Sequence, residues 1–235
     1  MTDRFDEIAR DYDVWLEIDP DYLPHHQLVV ALLRNELKKA PEGRIHVFEV
    51  GCGTGYTSRW ILAADNRIKL WAIDASAEMI NETRHALLGS GPFRYVVIQG
   101  DVLDLGRRAK TFPVVVSVFM LHNIIPELRG IAVRNMAAAL RPGGLLIIGD
   151  KIAHDDADEH ARVMERFWVM EAELKHFGPA GRYDYWHQHN TEDERMRRTE
   201  SELATHLREA GLVDIVIGQR CGIGMYAIAT ARKPW

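Results

Sequence analysis

Residues 47–56 read Val47-Phe48-Glu49-Val50-Gly51-Cys52-Gly53-Thr54-Gly55-Tyr56, a largely apolar run that leads into three closely spaced glycines. The apolar run predicts a buried strand, and the pattern over Ser58 to Ala64 predicts a helix after it. Glycines at such a turn let the backbone approach a ligand closely, and the first amides of the helix face that ligand. The stretch therefore predicts a ligand-binding turn, with an ordinary strand-to-helix turn as the alternative.

The spacing of the glycines disfavours two common phosphate-binding motifs. A dinucleotide fingerprint would place its third glycine at position 56, where this chain has Tyr56. A phosphate-binding P-loop would need Gly-Lys-Ser/Thr, which does not follow. An oxidoreductase with a nicotinamide cofactor is therefore disfavoured.

Short apolar runs alternate with helical patterns on both sides of this turn. The runs typical of buried strands are Ile45–Val50, Leu70–Ile73, Tyr95–Ile98, Val114–Phe119 and Leu145–Ile148. Strands that alternate with helices predict a parallel sheet with helices on both faces. Two further runs, Leu212–Ile217 and Met225–Thr230, are joined by a short link and predict an antiparallel hairpin. The expected fold is α/β, with seven strands and an antiparallel end.

Residues 151–198 interrupt this alternation. Asp156 with Glu159 predicts a helix start, and Gly178-Pro179 predicts its end. Between them, apolar residues recur at intervals of three and four, which is one face of a helix. These residues are Val163, Phe167, Met170, Leu174 and Phe177.

Two acidic residues follow the second and third predicted strands. Asp74 ends the run Trp71-Ala72-Ile73, and a carboxylate at that position in a doubly wound sheet accepts the hydroxyls of a ribose. Asp101 ends the next run, where it can accept the amine of an adenine while Val102 packs on the ring. Together with the glycine turn, they predict a nucleoside across three successive strand ends.

With these motifs, residues 45–150 resemble the class I S-adenosylmethionine-dependent methyltransferases. The resemblance also rests on Gly100-Asp101-Val102 and Leu140-Arg141-Pro142-Gly143-Gly144-Leu145. It implies a Rossmann-like seven-stranded, mostly parallel sheet with an antiparallel last strand, and S-adenosyl-L-methionine as cofactor. The cofactor-binding residues it implies are Glu49, Gly51, Cys52, Gly53, Gly55, Asp74, Ala75, Met79, Asp101, Val102 and Phe119.

The resemblance also implies methyl transfer to a small molecule, with the acceptor atom (O or N) left open. His122, after the fourth strand, is the candidate base, and the alternative is that it only packs near the adenine. Two helical lids, residues 1–40 and 151–198, are expected within a single domain of residues 1–235. The substrate-contacting candidates are Tyr22, His25, Tyr183, Tyr185, His187 and His189.

Composition sets the expected partners. The net charge of −5 disfavours nucleic acid, and two cysteines exclude a disulfide framework and favour a reducing compartment. We find no apolar stretch of signal-peptide or membrane-spanning length, so a cytoplasmic protein is expected. Residues 151–198 are a possible homodimer contact. Pro24-His25-His26 and His154-Asp155-Asp156 lack zinc-site spacing, so no metal is expected.

Two other functions stay open. The order of elements after residue 150 is similar to the carboxy-S-adenosylmethionine synthases, which make a modified cofactor. This chain departs from that family at Val118, where the family has a polar residue, and near Gln188, where it has a lid arginine. The second alternative is a scaffold subunit that keeps the fold without catalysis, which the intact glycines and acids disfavour.

Overall fold

A computed structural model describes residues 9, 13, 19–91, 93–105, 111–175 and 183–235. Its strands, in chain order, are β1 (Ile45–Val50), β2 (Ile68–Asp74), β3 (Tyr95–Gln99), β4 (Phe112–Val118), β5 (Leu140–Lys151), β6 (Val213–Arg220) and β7 (Tyr226–Arg232). The helices in the described residues are α1 (Tyr22–Leu37), α2 (Tyr56–Ala64), α3 (Ala77–Ala86), α4 (Pro126–Ala139), α5 (Ala157–Leu174), α6 (Tyr183–Arg195) and α7 (Glu200–Glu209).

The strands form one sheet in the order β3-β2-β1-β4-β5-β7-β6. The first five strands pair in parallel, and β7 pairs antiparallel with both β5 and β6. The predicted seven-stranded Rossmann-like fold is therefore confirmed. The strand order changes direction between β1 and β4, since β2 and β3 lie on one side of this pair and β5 on the other. In such sheets ligands bind in the crevice at the carboxyl ends of these two strands.

Two apolar layers hold the sheet between helices. In β1, Val47 faces a layer with Ile61 of α2, while Phe48 faces a second layer with Met136 of α4. This alternation follows from the two-residue period of a strand. Since both faces are covered, the strands read as continuous apolar runs rather than alternating ones.

Apart from β1, the strands of the sheet are longer than the apolar runs alone predict. The run Leu145–Ile148 is the middle of β5, which continues to Asp150 and Lys151. Backbone hydrogen bonds to β7 keep these polar residues in the strand, with Asp150 opposite Ala227. As a result β5 delivers two charged side chains beyond its apolar part.

Side chains cap the first turns of α3 and α5, and the cap on α5 is the one that the sequence predicts. Ser76 accepts the amide hydrogen of Met79, and Asp156 accepts that of Glu159. The predicted end of α5 at Gly178-Pro179 lies outside the described residues, as does Phe177. None of the described helices combines the length and apolar character needed to cross a membrane.

Candidate functional site

The carboxyl ends of β1, β2 and β4 surround a cavity of about 180 Å³, which we call the strand-end cavity. Most of its walls come from the turns that follow these strands, with one contribution from α1. The predicted cofactor-binding residues that line it are Gly51, Cys52, Gly53, Asp74, Ala75, Met79, Asp101, Val102 and Phe119.

The glycine turn packs tightly against its surroundings. Gly51 has φ of +75°, and a Cβ added there would lie 2.4 Å from the Met120 Cγ atom. The amides of Gly51 and Cys52 both donate to the Ile73 carbonyl at 2.9 Å. A side chain at position 51 would therefore strain the backbone and displace Met120.

Asp74, at the end of β2, holds the glycine turn in place. Its carboxylate accepts the Gly53 amide at 2.9 Å and the Ser76 amide at 3.0 Å. A carboxylate offers about four acceptor positions, so two amides do not exhaust it. Asp74 also lines the strand-end cavity, where the predicted ribose would lie.

Asp101 and Val102 form the opposite wall. Asp101 is exposed and accepts the Leu103 amide at 2.8 Å, which caps a short 3-10 turn over Val102–Asp104. Val102 is buried and lines the cavity. The pair thus offers an apolar contact beside a carboxylate, as the sequence predicts for an adenine.

Glu49 and Gly55 lie outside the lining of the cavity. Glu49 is buried beneath the turn and accepts the Ser58 hydroxyl at 2.5 Å. Burial raises the pKa of Glu49 to about 8, and the nearby charge of Asp74 acts in the same direction. Gly55 has φ of +83° and begins α2. Both residues therefore stabilise the glycine turn without lining the cavity.

His122 is buried after β4 and is held by Asp150 at the end of β5. Its Nδ1 lies 2.6 Å from the Asp150 Oδ1 atom. The other carboxylate oxygen of Asp150 accepts the Leu121 amide at 2.8 Å. Burial alone would raise the pKa of Asp150, but the charge and hydrogen bond of His122 lower it below its usual value. An ionised Asp150 fixes the His122 ring with Nδ1–H toward the carboxylate.

A second cavity of about 70 Å³, the lid chamber, lies next to the first. The two cavities share Tyr22 and Phe119, whose rings stack with centroids 5.0 Å apart. The remaining lining comes from β5, β7, α5 and α6, from Asp19 before α1 and from His122 after β4. Those residues are Asp19, His122, Lys151, Phe167, Met170, Glu171, Leu174, Trp186, His189, Asn190 and Tyr226.

Charged groups in the lid chamber are paired with one another. The Lys151 ammonium donates to Asp193 at 2.5 Å and to Asn190 at 2.8 Å. The Asn190 amide donates in turn to Glu171 at 2.6 Å. These bonds tie α5 and α6 to the end of β5.

At the α1 side of the chamber, the Tyr226 hydroxyl donates to Asp19. Burial raises the pKa of Asp19, although the hydrogen bond from Tyr226 opposes that rise. Burial also raises the pKa of Tyr226 well above its usual value. The neutral phenol of Tyr226 is therefore a stable part of the chamber wall at neutral pH.

The predicted substrate residues divide between the chamber and other places. Tyr22 and His189 line the lid chamber. His25 packs on β5 instead, since a Cβ at Gly149 would lie 2.6 Å from its Nε2 atom. The other three lie on α6 outside the lining of both cavities: Tyr183, Tyr185 and His187.

Sequence reasoning missed most of the charged chamber residues. Asp150 follows the fifth strand, so the argument used for Asp74 and Asp101 also applies to it. His189 and Asp193 are spaced four residues apart on α6, which places them on one helix face. For Lys151, Asn190 and Glu171 no local pattern indicates their shared environment.

The chain is similar to proteins that use S-adenosylmethionine. A family model described as a methyltransferase domain matches residues 47–144. The carboxy-S-adenosyl-L-methionine synthase of Chromohalobacter salexigens is 30% identical over 128 residues, which cover 52% of this chain and 46% of the relative. The synthase of Wolinella succinogenes is 29% identical over 154 residues, with 64% and 63% covered. The match thus spans about half to two thirds of these relatives.

A solved structure covers more of the chain. The N-methyltransferase NodS from Bradyrhizobium japonicum, in complex with S-adenosyl-L-homocysteine, has a TM-score of 0.66 and 18% identity. It covers 100% of this chain, and 98% of NodS is covered. Together these matches support a class I S-adenosylmethionine methyltransferase-like protein. The predicted resemblance is confirmed, and with it S-adenosylmethionine as the cofactor of this fold.

Proposed function

We propose that the chain binds S-adenosyl-L-methionine in the strand-end cavity and transfers its methyl group to a small O- or N-acceptor in the lid chamber. The observation that carries this proposal is the meeting of the two cavities at Tyr22 and Phe119, with His122 on the chamber side. The methyltransferase fold supports the assignment of the cofactor to the first cavity. The second cavity then takes the acceptor.

Binding of the cofactor falls to residues around the strand ends. Asp74 would accept the ribose hydroxyls, while Asp101 and Val102 would contact the adenine. The glycine turn leaves room for the methionine part because Gly51 and Gly53 carry no side chains. When bound, the cofactor supplies an activated methyl group on a positively charged sulfur. The chain contributes placement of two reactants, worth about 7–11 kcal/mol for a well-oriented pair.

His122 is the proposed general base. Asp150 holds Nδ1–H, so Nε2 carries the lone pair that accepts a proton from an O–H or N–H acceptor. Phe167, Trp186 and Phe119 give the chamber apolar walls, which would exclude water once a bound acceptor fills it. Exclusion of water favours a step in which the charge on the sulfur disappears.

The chamber also limits the acceptor. Its volume suits a small molecule, and the two acidic side chains in its lining, Asp19 and Glu171, outnumber the single ammonium of Lys151, which Asp193 pairs from outside the lining. We therefore propose a neutral or cationic small molecule rather than nucleic acid. A cytoplasmic location and a homodimer through residues 151–198 remain predictions, and the exposed Val169 of α5 is available for such a contact.

Calorimetry tests the cofactor. We expect S-adenosyl-L-methionine and S-adenosyl-L-homocysteine to bind with one site per chain and NAD to give no heat. The acceptor is then sought by measuring S-adenosyl-L-homocysteine formation with panels of small phenols, carboxylic acids and amines. Absence of heat with both sulfur nucleosides contradicts the cofactor assignment, and heat with NAD alone would favour an oxidoreductase.

The names of the relatives favour a second candidate, carboxy-S-adenosylmethionine synthesis. Val118 supplies an apolar wall to the strand-end cavity, and Gln188 is exposed on α6 outside both cavities. Neither offers a cation for an added carboxylate. Mass spectrometry of the cofactor after turnover separates the two reactions. A gain of one carbon dioxide unit supports the synthase, and loss of the methyl group supports methyl transfer.

A further inference from the structure

His122, His189 and Asp193 come together from two parts of the chain. His122 follows β4, whereas His189 and Asp193 lie one turn apart on α6. All three are buried, and one ligand atom from each lies within 4.8 Å of the other two. We propose that these side chains form a binding site for a divalent transition metal ion such as Zn²⁺.

The distances suit a tetrahedral ion. With bonds of about 2.0–2.1 Å, neighbouring ligand atoms of such a site lie about 3.3 Å apart. Nε2 of His189 lies 3.3 Å from the Asp193 Oδ2 atom, and Nε2 of His122 lies 3.8 Å from the same oxygen. The ligand atoms of His122 and His189 lie within 4.8 Å of each other, so His122 must move inward for all three groups to bind one ion.

The surroundings prepare the two imidazoles for an ion. Asp150 binds Nδ1 of His122, which is the carboxylate–histidine arrangement that orients metal ligands. His189 is buried, and its Nδ1 has no hydrogen-bond partner among the described residues. A buried ring with an unpaired nitrogen costs free energy. The ion would bind Nε2, which faces Asp193, and Nδ1 would keep its proton, so the case for the ion depends on Nε2 of both rings and on Asp193.

The ligand types select the class of ion. Imidazole nitrogens favour Zn²⁺ and its neighbours in the first transition row, whereas Mg²⁺ and Ca²⁺ prefer oxygens. Three protein ligands leave a fourth position for water or another oxygen. Both His122 and His189 line the lid chamber, so that position faces the space where the proposed acceptor lies.

Lys151 competes with a metal ion for the carboxylate of Asp193. Its ammonium lies 2.5 Å from the Asp193 Oδ2 atom and supplies the positive charge that the carboxylate needs without a metal. A bound ion displaces Lys151 toward Asn190, which already accepts from it at 2.8 Å. Removing the ammonium with Lys151→Met should therefore tighten metal binding.

An ion on Nε2 of His122 occupies the lone pair that the proposed base needs, so the metal-bound and proton-accepting forms of His122 exclude each other. Metal binding is measured without cofactor or acceptor, so its outcome is distinguished from that of the proposed methyl transfer. Protein purified without a histidine tag is titrated with Co²⁺, whose visible absorption reports tetrahedral coordination, and with Zn²⁺ against a chromophoric chelator. We expect one equivalent per chain. His189→Gln and Asp193→Asn should each weaken binding at least tenfold, whereas Lys151→Met should strengthen it.

Glu192→Gln is the matched control because it removes the neighbouring carboxylate on the same helix, and it should leave affinity unchanged. Thermal melts check that each variant is folded. The Co²⁺ spectrum of the unmodified protein gives a second readout that needs no variant. Absence of a stoichiometric site in the unmodified protein, or equal weakening by Glu192→Gln and Asp193→Asn, would overturn the proposal.

Discussion

The strand-end cavity and the lid chamber lie side by side, yet they are built in different ways. The bond that closes the glycine turn, from Gly53 to Asp74, joins residues 21 apart in the chain. In the chamber, Lys151 and Asp193 are 42 apart, and Asp19 and Tyr226 are 207 apart. The cavity is therefore a product of neighbouring strand–helix units, whereas the chamber exists only when the whole chain has folded.

The two regions also neutralise their carboxylates differently. Asp74 and Asp101 accept backbone amides, which remain in place when side chains change. Asp150 also accepts the Leu121 amide, but its partner His122, like the partner Lys151 of Asp193, is a side chain. A substitution in the chamber leaves a buried partner without its bond, so its effects should exceed those in the cavity.

The largest effect is expected at His122. His122→Gln removes the base but retains a polar side chain, so turnover should fall by about 10²–10⁴-fold at saturating cofactor. Cofactor affinity should stay the same because His122 does not line the strand-end cavity. Single-turnover kinetics and calorimetry measure the two quantities. Full turnover in a folded His122→Gln protein would leave His122 only a packing role.

Glu49 tests the cavity through stability instead of activity. Its folded pKa of about 8 exceeds the usual value of 4.5, so the folded state retains a proton that the unfolded chain releases. The stability from this group is complete below pH 4.5 and is lost as pH rises toward 8. Glu49→Gln keeps an acceptor for Ser58 and cannot ionise. It should raise the free energy of unfolding by about 2–3 kcal/mol at pH 7.

Chemical denaturation at several pH values provides the measurement. The difference between Glu49→Gln and the unmodified protein should approach zero near pH 4.5 and grow with pH, since only Glu49 differs between them. A difference that does not change with pH would show that Glu49 has an ordinary pKa in the folded state.

The sequence indicates most of the residues that line the strand-end cavity because the determinants of this cavity are local. The glycine turn, Asp74 and Asp101 each follow an apolar run, and parallel strands bring such ends to one edge. The chamber was harder, since α6 carries aromatic and histidine residues all around its surface. Which of them face inward is decided by packing against α5 and β5, so His189 faces the chamber while His187 remains exposed.

Packing between distant elements also decides where His25 lies. Sequence placed it with the substrate residues on the strength of its position in a lid, but the small residue Gly149 in β5 allows α1 to pack closely at that point. This contact depends only on how α1 is positioned along the distant strand β5. No pattern within the sequence of α1 indicates it.

Asp74 is expected to have the next effect. Asp74→Ala removes the acceptor for the Gly53 amide and for the proposed ribose, so cofactor affinity should weaken by about 1–3 kcal/mol. Turnover at saturating cofactor should change little, because the chamber is untouched. Calorimetry and initial rates separate the two. An unchanged affinity would remove Asp74 from the nucleoside site.

Asp101 gives the smallest expected effect and sharpens the comparison within the cavity. It is exposed, so water competes for any bond it makes, and Asp101→Ala should weaken cofactor affinity by only about two- to tenfold. Asp101→Asn keeps an oxygen that accepts the Leu103 amide but loses the negative charge. Comparing it with Asp101→Ala therefore distinguishes the effect of losing this cap from the effect of losing a contact with the adenine. Asp104→Ala, which removes a nearby exposed acid outside the cavity lining, is the control and should leave affinity unchanged. If Asp101→Ala instead weakened binding more than Asp74→Ala, the adenine wall would dominate recognition, and burial would be a poor guide to the contribution of each carboxylate.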